Sequence, residues 1–245
     1  MPIDYLTHLR REMAAISAAG RRGPLDAAVV HCPGWDLARL VGHVGRVYRM
    51  ATIAVLSGSP EQSSEAPERP PTEGDIVSWF DTGASALIDA LASTPVDAPA
   101  FNFSKEPRTA AFWSRRQAHE SLIHRFDAES AVGTAAPLDA ELAVDSIEEI
   151  FSMWVPLRLG ERDDIDLGGT MHIHATDADG EWMVRVVDGR IVVEHGHAKG
   201  DVAVRGPASS LALLLWHRLP ADDPSLERFG DPGVLDRWLA LNVPG

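Results

Sequence analysis

The apolar residues of this chain change period part-way along, and that change constrains the fold more than any single motif. Up to about residue 155 they recur every three or four positions; between Gly168 and Gly206 they alternate or form short β-branched runs. A helical region followed by an α+β region is the expected organisation. "IDYLTHLRREMAAISAAG" sets Leu9, Met13 and Ile16 on one stripe and stops at Gly20, a common helix-ending residue. Asp36 is a candidate N-cap for a second helix carrying Leu37, Leu40, Val41, Val44, Val47, Tyr48 and Ala51. Ser57 to Asp75, "SGSPEQSSEAPERPPTEGD", lacks apolar periodicity and is expected to form a long, mobile loop. A third helix follows in "IVSWFDTGASALIDALAS", then an irregular stretch from Thr94 to about Arg108 and a fourth helix from Thr109 to about Val132. A fifth helical segment, "DAELAVDSIEEIFSMWVPLRLG", leads out of the bundle, with Pro156 disturbing its end.

Residues 1–160 are therefore expected to form a helical bundle and residues 166–245 a small α+β domain. In the second region "DADG" and "DGR" are hairpin-type turn signals that divide three or four strands, expected to be antiparallel. "PASSLALLLWHRL" and "PGVLDRWLALN" supply two further helical segments. No internal repeat is visible.

Charge and composition exclude some partners. With 22 basic against 36 acidic residues, the net charge of −14 opposes binding to nucleic acid or to anionic lipid. No apolar run reaches the length of a membrane span, and "MPIDYLTHLRREM" has no signal-peptide pattern, so a cytoplasmic location is expected. A single cysteine, Cys32, allows no intramolecular disulfide and no thiolate-rich zinc site. Any metal must rely on histidine and carboxylate.

The fourth helix carries "RQAHESLIHRFDAE", in which His119, Glu120 and His124 suggest a zinc-protease helix. The spacing rejects it. That motif needs two histidines four apart, and here they are five apart, rotated by about 140° around the helix axis. Glu120 and His124 do share a face as an i,i+4 pair, leaving His119 outside. A third ligand must come from elsewhere, and His43, on or beside the apolar stripe of the second helix, is the candidate. Two histidines and one carboxylate are a ligand set of catalytic zinc, which keeps a position open for water or substrate. Asp127 lies on the same face and is suited to orient a ligand. From spacing alone, a hydrogen-bonded core histidine and a surface i,i+4 pair remain open readings. His172 and His174 alternate onto one strand face, near His195 and His197; they suit either a metal or a polar, solvent-facing sheet. Cys32 precedes a Pro-Gly turn and suits a buried structural role better than a catalytic one. "GGT" and "GDVAVRG" lack the glycine spacing of phosphate-binding loops.

"CPGWDLARLVGHVGRV", "RRQAHESLIHRFDAE", "HIHATDADGEW" and "GDVAVRGPASSLALLLWHRL" resemble the mycothiol-dependent maleylpyruvate isomerase family over essentially the whole chain. The resemblance implies a DinB-like four-helix bundle, followed by a small α+β domain reminiscent of sterol-carrier proteins. It also implies a zinc ion held by His43, Glu120 and His124. An arginine of the C-terminal domain acts near the substrate in this family. Arg218 in "LLLWHRL" is the closest match, with His217 where glycine is usual, and Arg205 is the other candidate. The implied cosubstrate is mycothiol, a sugar-linked cysteine that zinc would bind as its thiolate. The thiolate adds to a cis double bond, rotation follows, and elimination gives the trans isomer, with the arginine steadying the enolate; an alkyl or epoxide electrophile would instead undergo S-transfer. The expected partners are thus a small thiol and an electrophile, for a monomer or homodimer. A metal-dependent hydrolase is the alternative among enzymes. A non-catalytic ligand-binding or sensor module stabilised by zinc is the alternative from another class.

Overall fold

Asp4, Asp36 and Asp75 each accept hydrogen bonds from backbone N–H groups in the first turn of a helix, and thereby fix where three helices of the N-terminal region begin. These are α1 (Tyr5–Arg22), α2 (Leu37–Leu56) and α3 (Ile76–Ser93); α4 spans Ala110–Ala131. The protein is described from a computed structural model that covers residues 3–72, 74–133, 135–160, 162 and 164–244. The chain divides into two compact units, residues 1–136 and 137–245.

In the first unit α2 packs on α3 and α4, and α1 packs on α4 and α3, forming a four-helix bundle. Leu9 and Ile16, Leu40, Val44 and Tyr48, Phe80 and Leu87, and Trp113 and Leu122 bring the four helices into one core. α1 continues past Gly20 and ends at Gly23. Gly45 permits α2 and α3 to meet, because a Cβ there would lie 2.6 Å from the Trp79 ring. α4 differs from the other three helices. Arg116, Gln117, His119, Ser121, His124, Arg125 and Asp127 are all buried on it, so polar groups replace the usual single apolar stripe. Burial on this scale is tolerated because many of these groups are paired. Arg125 donates to Glu12 at 2.8 Å and to Glu129 at 2.9 Å, and Tyr48 and Ser121 share a hydrogen bond of 2.7 Å.

The long loop after α2 is tied down at two points. Arg49 stacks on Trp79 at 3.6 Å and donates to Glu68 at 3.0 Å, while Arg108 donates to the carbonyl of Pro60 at 3.0 Å.

The second unit begins with the fifth helical segment, which packs against α7 (Ala208–Leu215). The compact units therefore part near residue 136, whereas the change of sequence period lies near residues 160–166. α5 (Ala140–Glu149) is amphipathic like a bundle helix, and sequence alone does not say which core receives its apolar face. Pro156 does not end the helical path. A π-helical turn, Ile150–Trp154, widens the helix just before Pro156, and α6 (Val155–Arg158) then continues with the proline in its first turn. Proline cannot donate to the carbonyl four residues back and its ring crowds it; the wider turn relieves both.

The sheet comprises β1 (Met171–Ala175), β2 (Glu181–Val187), β3 (Arg190–His195), β4 (Val202–Gly206) and β5 (Glu227–Gly230), in the order β3-β2-β1-β4-β5. It is mixed, correcting the expectation of an antiparallel sheet: β1 and β4 are parallel. Hairpin turns govern only strands adjacent in sequence, and the β1–β4 pairing closes over the whole β2–β3 hairpin. β5 lies in a stretch expected to be a loop; it is short and exposed along its length, with Phe229 its one large apolar residue, so no apolar alternation announces it. α7 packs on β1 and β4, and α8 (Pro232–Ala240) on β4. No helix among the described residues is long and apolar enough to cross a membrane.

Candidate metal centre

The packing of α2 against α4 brings His43 to Glu120 and His124. Nε2 of His43 and Nε2 of His124 each lie 3.3 Å from the same oxygen, Oε1 of Glu120. One ligating atom from each of the three residues lies within 4.8 Å of the others, the convergence that a single bound cation needs. The two imidazoles meet edge to face, with centroids 5.3 Å apart. Trp35, just ahead of α2, packs on both, 4.9 Å from the His43 ring and 6.4 Å from that of His124.

Two of the three members are held from behind. Nδ1 of His124 is 3.0 Å from Oδ2 of the fully buried Asp127, which leaves Nε2 directed at Glu120. Arg116 grips the other oxygen of Glu120 from one helical turn back. Cys32 lies 3.7 Å from Asp127 on the far side of the His124 ring. Cys32, Asp127 and His124 therefore also approach to ligating distance, but through Nδ1 instead of Nε2.

The electrostatics follow from this packing. Burial pushes the Glu120 carboxyl up, but the charge and hydrogen bond of His124, the hydrogen bond of His43 and the charge of Arg116 hold it well below the usual carboxylate range. Burial disfavours a charged His124, yet Glu120 and Asp127 outweigh it and raise its pKa to about 9 when no ion is bound. A cation at this point would take over the role of that proton.

His119 is not part of the group. It is fully buried and faces Tyr5 of α1 edge to face, with centroids 6.2 Å apart, in keeping with its rotation away from Glu120 and His124.

His43 also lines a cavity of about 440 Å³ whose other walls are largely apolar: Val47, Met50 and Ile53 of α2, Phe101 and Phe103 of the 94–108 stretch, and Trp113 of α4. Gln62, Glu65 and Pro67 of the 57–75 loop complete it. A second, shallower cavity shares His43 and Arg46 and adds Arg39 and Arg69. The ligand cluster is thus open on the His43 side to an apolar chamber and a cationic cleft.

The two arginines singled out in the sequence belong to the second unit. Arg205 is exposed on β4, in register with His174 of β1 and Glu227 of β5. Arg218 is half-buried and donates to the carbonyl of Trp216 at 2.7 Å. The residue between, His217, has φ of 60°. Glycine adopts that left-handed conformation without strain, whereas a side chain such as that of histidine rarely does. Trp35 and Arg116 escaped the sequence reading. An aromatic before the helix and an arginine one turn ahead of a candidate carboxylate ligand are the signals that point to them.

Two family models cover most of the chain. The mycothiol maleylpyruvate isomerase N-terminal domain matches residues 6–129, and the C-terminal domain of the same family matches residues 141–237. A comparison with curated protein sequences returns no match. Among solved structures, a crystal structure of mycothiol-dependent maleylpyruvate isomerase aligns at 14% identity over 93% of each chain, with a TM-score of 0.61. A point mutant of that isomerase aligns at 13% identity over 93% of each chain, with a TM-score of 0.62. At such identities the likeness concerns the fold.

Proposed function

The chain belongs to the mycothiol maleylpyruvate isomerase family, and on that premise we propose that it is a zinc-dependent cytoplasmic enzyme using mycothiol as a nucleophile. Its reaction is either cis–trans isomerisation of an unsaturated acid such as maleylpyruvate or thiol transfer to another electrophile. The observation that carries the proposal is the pair of 3.3 Å approaches of His43 and His124 to one oxygen of Glu120, beside a cavity of substrate size. The donor set fits the ion: two imidazole nitrogens and one carboxylate oxygen suit Zn²⁺ and leave a coordination position open. A zinc ion held there would supply a Lewis acid at which a thiol loses its proton at neutral pH.

The chain's own residues do the rest. Asp127 fixes the ring of His124 by accepting from Nδ1, which leaves Nε2 directed at Glu120, where it would be free to hold an ion. Arg116 anchors Glu120 by its other oxygen. Trp35 packs against both imidazoles. Phe101, Phe103 and Trp113 exclude water from the electrophile, and Arg46, on both cavities, attracts an anionic group. The family resemblance assigns the stabilisation of negative charge on the substrate to Arg218 first and Arg205 second. Replacing each by methionine tests this: the acting residue loses kcat and kcat/KM together, with metal content unchanged.

The decisive experiment adds mycothiol to cobalt-substituted protein. A thiolate-to-metal absorption band supports the proposal, and a spectrum unchanged at saturating thiol overturns it. Metal analysis of His43→Ala and His124→Ala accompanies it; wild-type metal content in both variants would remove the site.

A further inference from the structure

We propose that His172, His174, Glu181 and His197 form a second metal site, selective for a divalent transition ion such as Zn²⁺, which fastens the segment after β3 to the sheet. Three imidazoles converge there on one atom. Nε2 of His172, Nδ1 of His174 and Nδ1 of His197 lie 2.9, 2.9 and 2.6 Å from Oε1 of Glu181. The four ligating atoms all lie within 4.8 Å of one another.

The sheet enforces this convergence. His172 and His174 are two apart on β1 and project from the same face. The antiparallel register sets Glu181 of β2 directly opposite His174. His197 arrives by a separate route. The β2–β3 hairpin returns the chain so that His195 pairs with Trp182, and the N–H of Gly196 then donates to the carbonyl of Glu181 at 3.1 Å. Gly196 has φ of 112°, a conformation that side chains other than glycine's rarely adopt, and it turns the chain so that His197 faces the carboxylate. Backbone geometry thus aims three rings, from β1 and the segment after β3, at a carboxylate that β2 supplies.

The chemistry of the group favours a metal over simple hydrogen bonding. One carboxylate oxygen has two lone pairs and here faces three imidazole nitrogens, more donors than it can satisfy well. Three nitrogens and one oxygen make a four-donor set suited to tetrahedral Zn²⁺ or a related transition ion, not to Ca²⁺ or Mg²⁺, which require mainly oxygen. Four protein donors close the coordination sphere, so the expected role is structural. His197 is 80% exposed in its side chain, whereas His172 is 8% exposed, so an ion would join an exposed segment to the buried strand.

The test uses the full chain, stripped with a chelator, reloaded with Zn²⁺ and freed of excess ion by gel filtration. His174→Ala/His197→Ala should contain one equivalent less zinc than wild type. His43→Ala/His124→Ala reports on the bundle cluster independently, so either site can fail without the other. In that bundle variant, zinc should slow tryptic cleavage after the exposed Lys199 by about tenfold or more, because the segment carrying it is held closed. Two milder variants, His197→Ala alone and Glu181→Gln, guard against loss of folding and should also lose the equivalent. Wild-type zinc content in folded His174→Ala/His197→Ala protein, or cleavage at Lys199 indifferent to zinc, overturns the proposal.

Discussion

The bundle and the sheet each gather histidines around one glutamate, and they support them differently. In the bundle, two histidines and Glu120 stand on two packed helices, and buried partners brace them: Asp127 behind His124 and Arg116 behind Glu120. The group has three donors and borders a cavity. In the sheet, three histidines surround Glu181, one of them on an exposed segment beyond a strand end. The group supplies four donors. A set one donor short, rigidly braced and next to a chamber, suits chemistry, because an incoming ligand completes it. A complete set spread over strand and loop suits a clasp.

Ligand removal should separate the two most sharply. His124→Ala takes away a ligand and leaves Glu120 and Asp127 buried without their shared partner. Both metal in the bundle and thiol-dependent turnover should fall to background, while the zinc lost with His174→Ala/His197→Ala should leave turnover per folded protein unchanged. Steady-state rates paired with metal analysis measure both. A sheet variant as inactive as the bundle variant would erase the proposed division of roles.

A smaller effect is expected from the bracing. Asp127→Asn keeps the shape but weakens the hold on Nδ1 of His124, and removal of such a partner costs about 10- to 100-fold in metal affinity. Competition with a chromogenic chelator gives the value. Unchanged affinity would mean that Asp127 serves Cys32 and the core instead of the ligand.

The pH dependence sharpens the contrast further. His124 has a folded pKa near 9, above its ordinary value of 6.5, so its ion pairs stabilise the metal-free bundle fully below about pH 6.5. This contribution is lost as pH rises through 9. Glu120 works in the opposite sense: its contribution is present above its ordinary value of 4.5 and is lost as pH falls through its depressed folded pKa. The metal-free protein should therefore have a lower Tm at pH 10 than at pH 6. Because the metal must displace the His124 proton, affinity at the bundle should rise about tenfold per pH unit and level off near pH 9. A pH-independent affinity below 9 would show that the ion does not use His124.

Much of this was legible in the sequence, for identifiable reasons. The helices of the bundle showed through because α1, α2 and α3 keep one apolar stripe and are capped by aspartates. The rotation of about 140° between the two histidines separated His119 from His124, and in the structure His119 faces Tyr5 instead. Less legible was everything that depends on distant pairing. The parallel β1–β4 contact, the exposed edge strand β5 and the attachment of α5 to the second unit have no local signature. On α4, buried polar residues occupy every face, so no stripe distinguishes the arginine that grips Glu120 from the one that pairs with Glu12. The convergence of His197 on Glu181 depends on a hairpin register and one left-handed glycine, neither fixed by the spacing of the histidines.

The mildest prediction concerns the chamber that the bundle cluster borders. Phe103 is 39% exposed and stands edge-on to Phe112 and Trp113, with centroids 5.8 and 6.1 Å away, so its ring forms an outer wall of the cavity and not part of the core. Phe103→Ala removes wall area without touching His43, Glu120 or His124. Stability should change by no more than about 1 kcal/mol, since an already half-exposed ring loses little burial. Substrate binding should suffer more. If the wall contacts the electrophile equally before and during reaction, KM rises several-fold while kcat and metal content stay near wild type. A fall in kcat at constant KM would instead mean that the ring acts on the reacting arrangement, and the chamber would then belong to the chemistry as much as the ligands do.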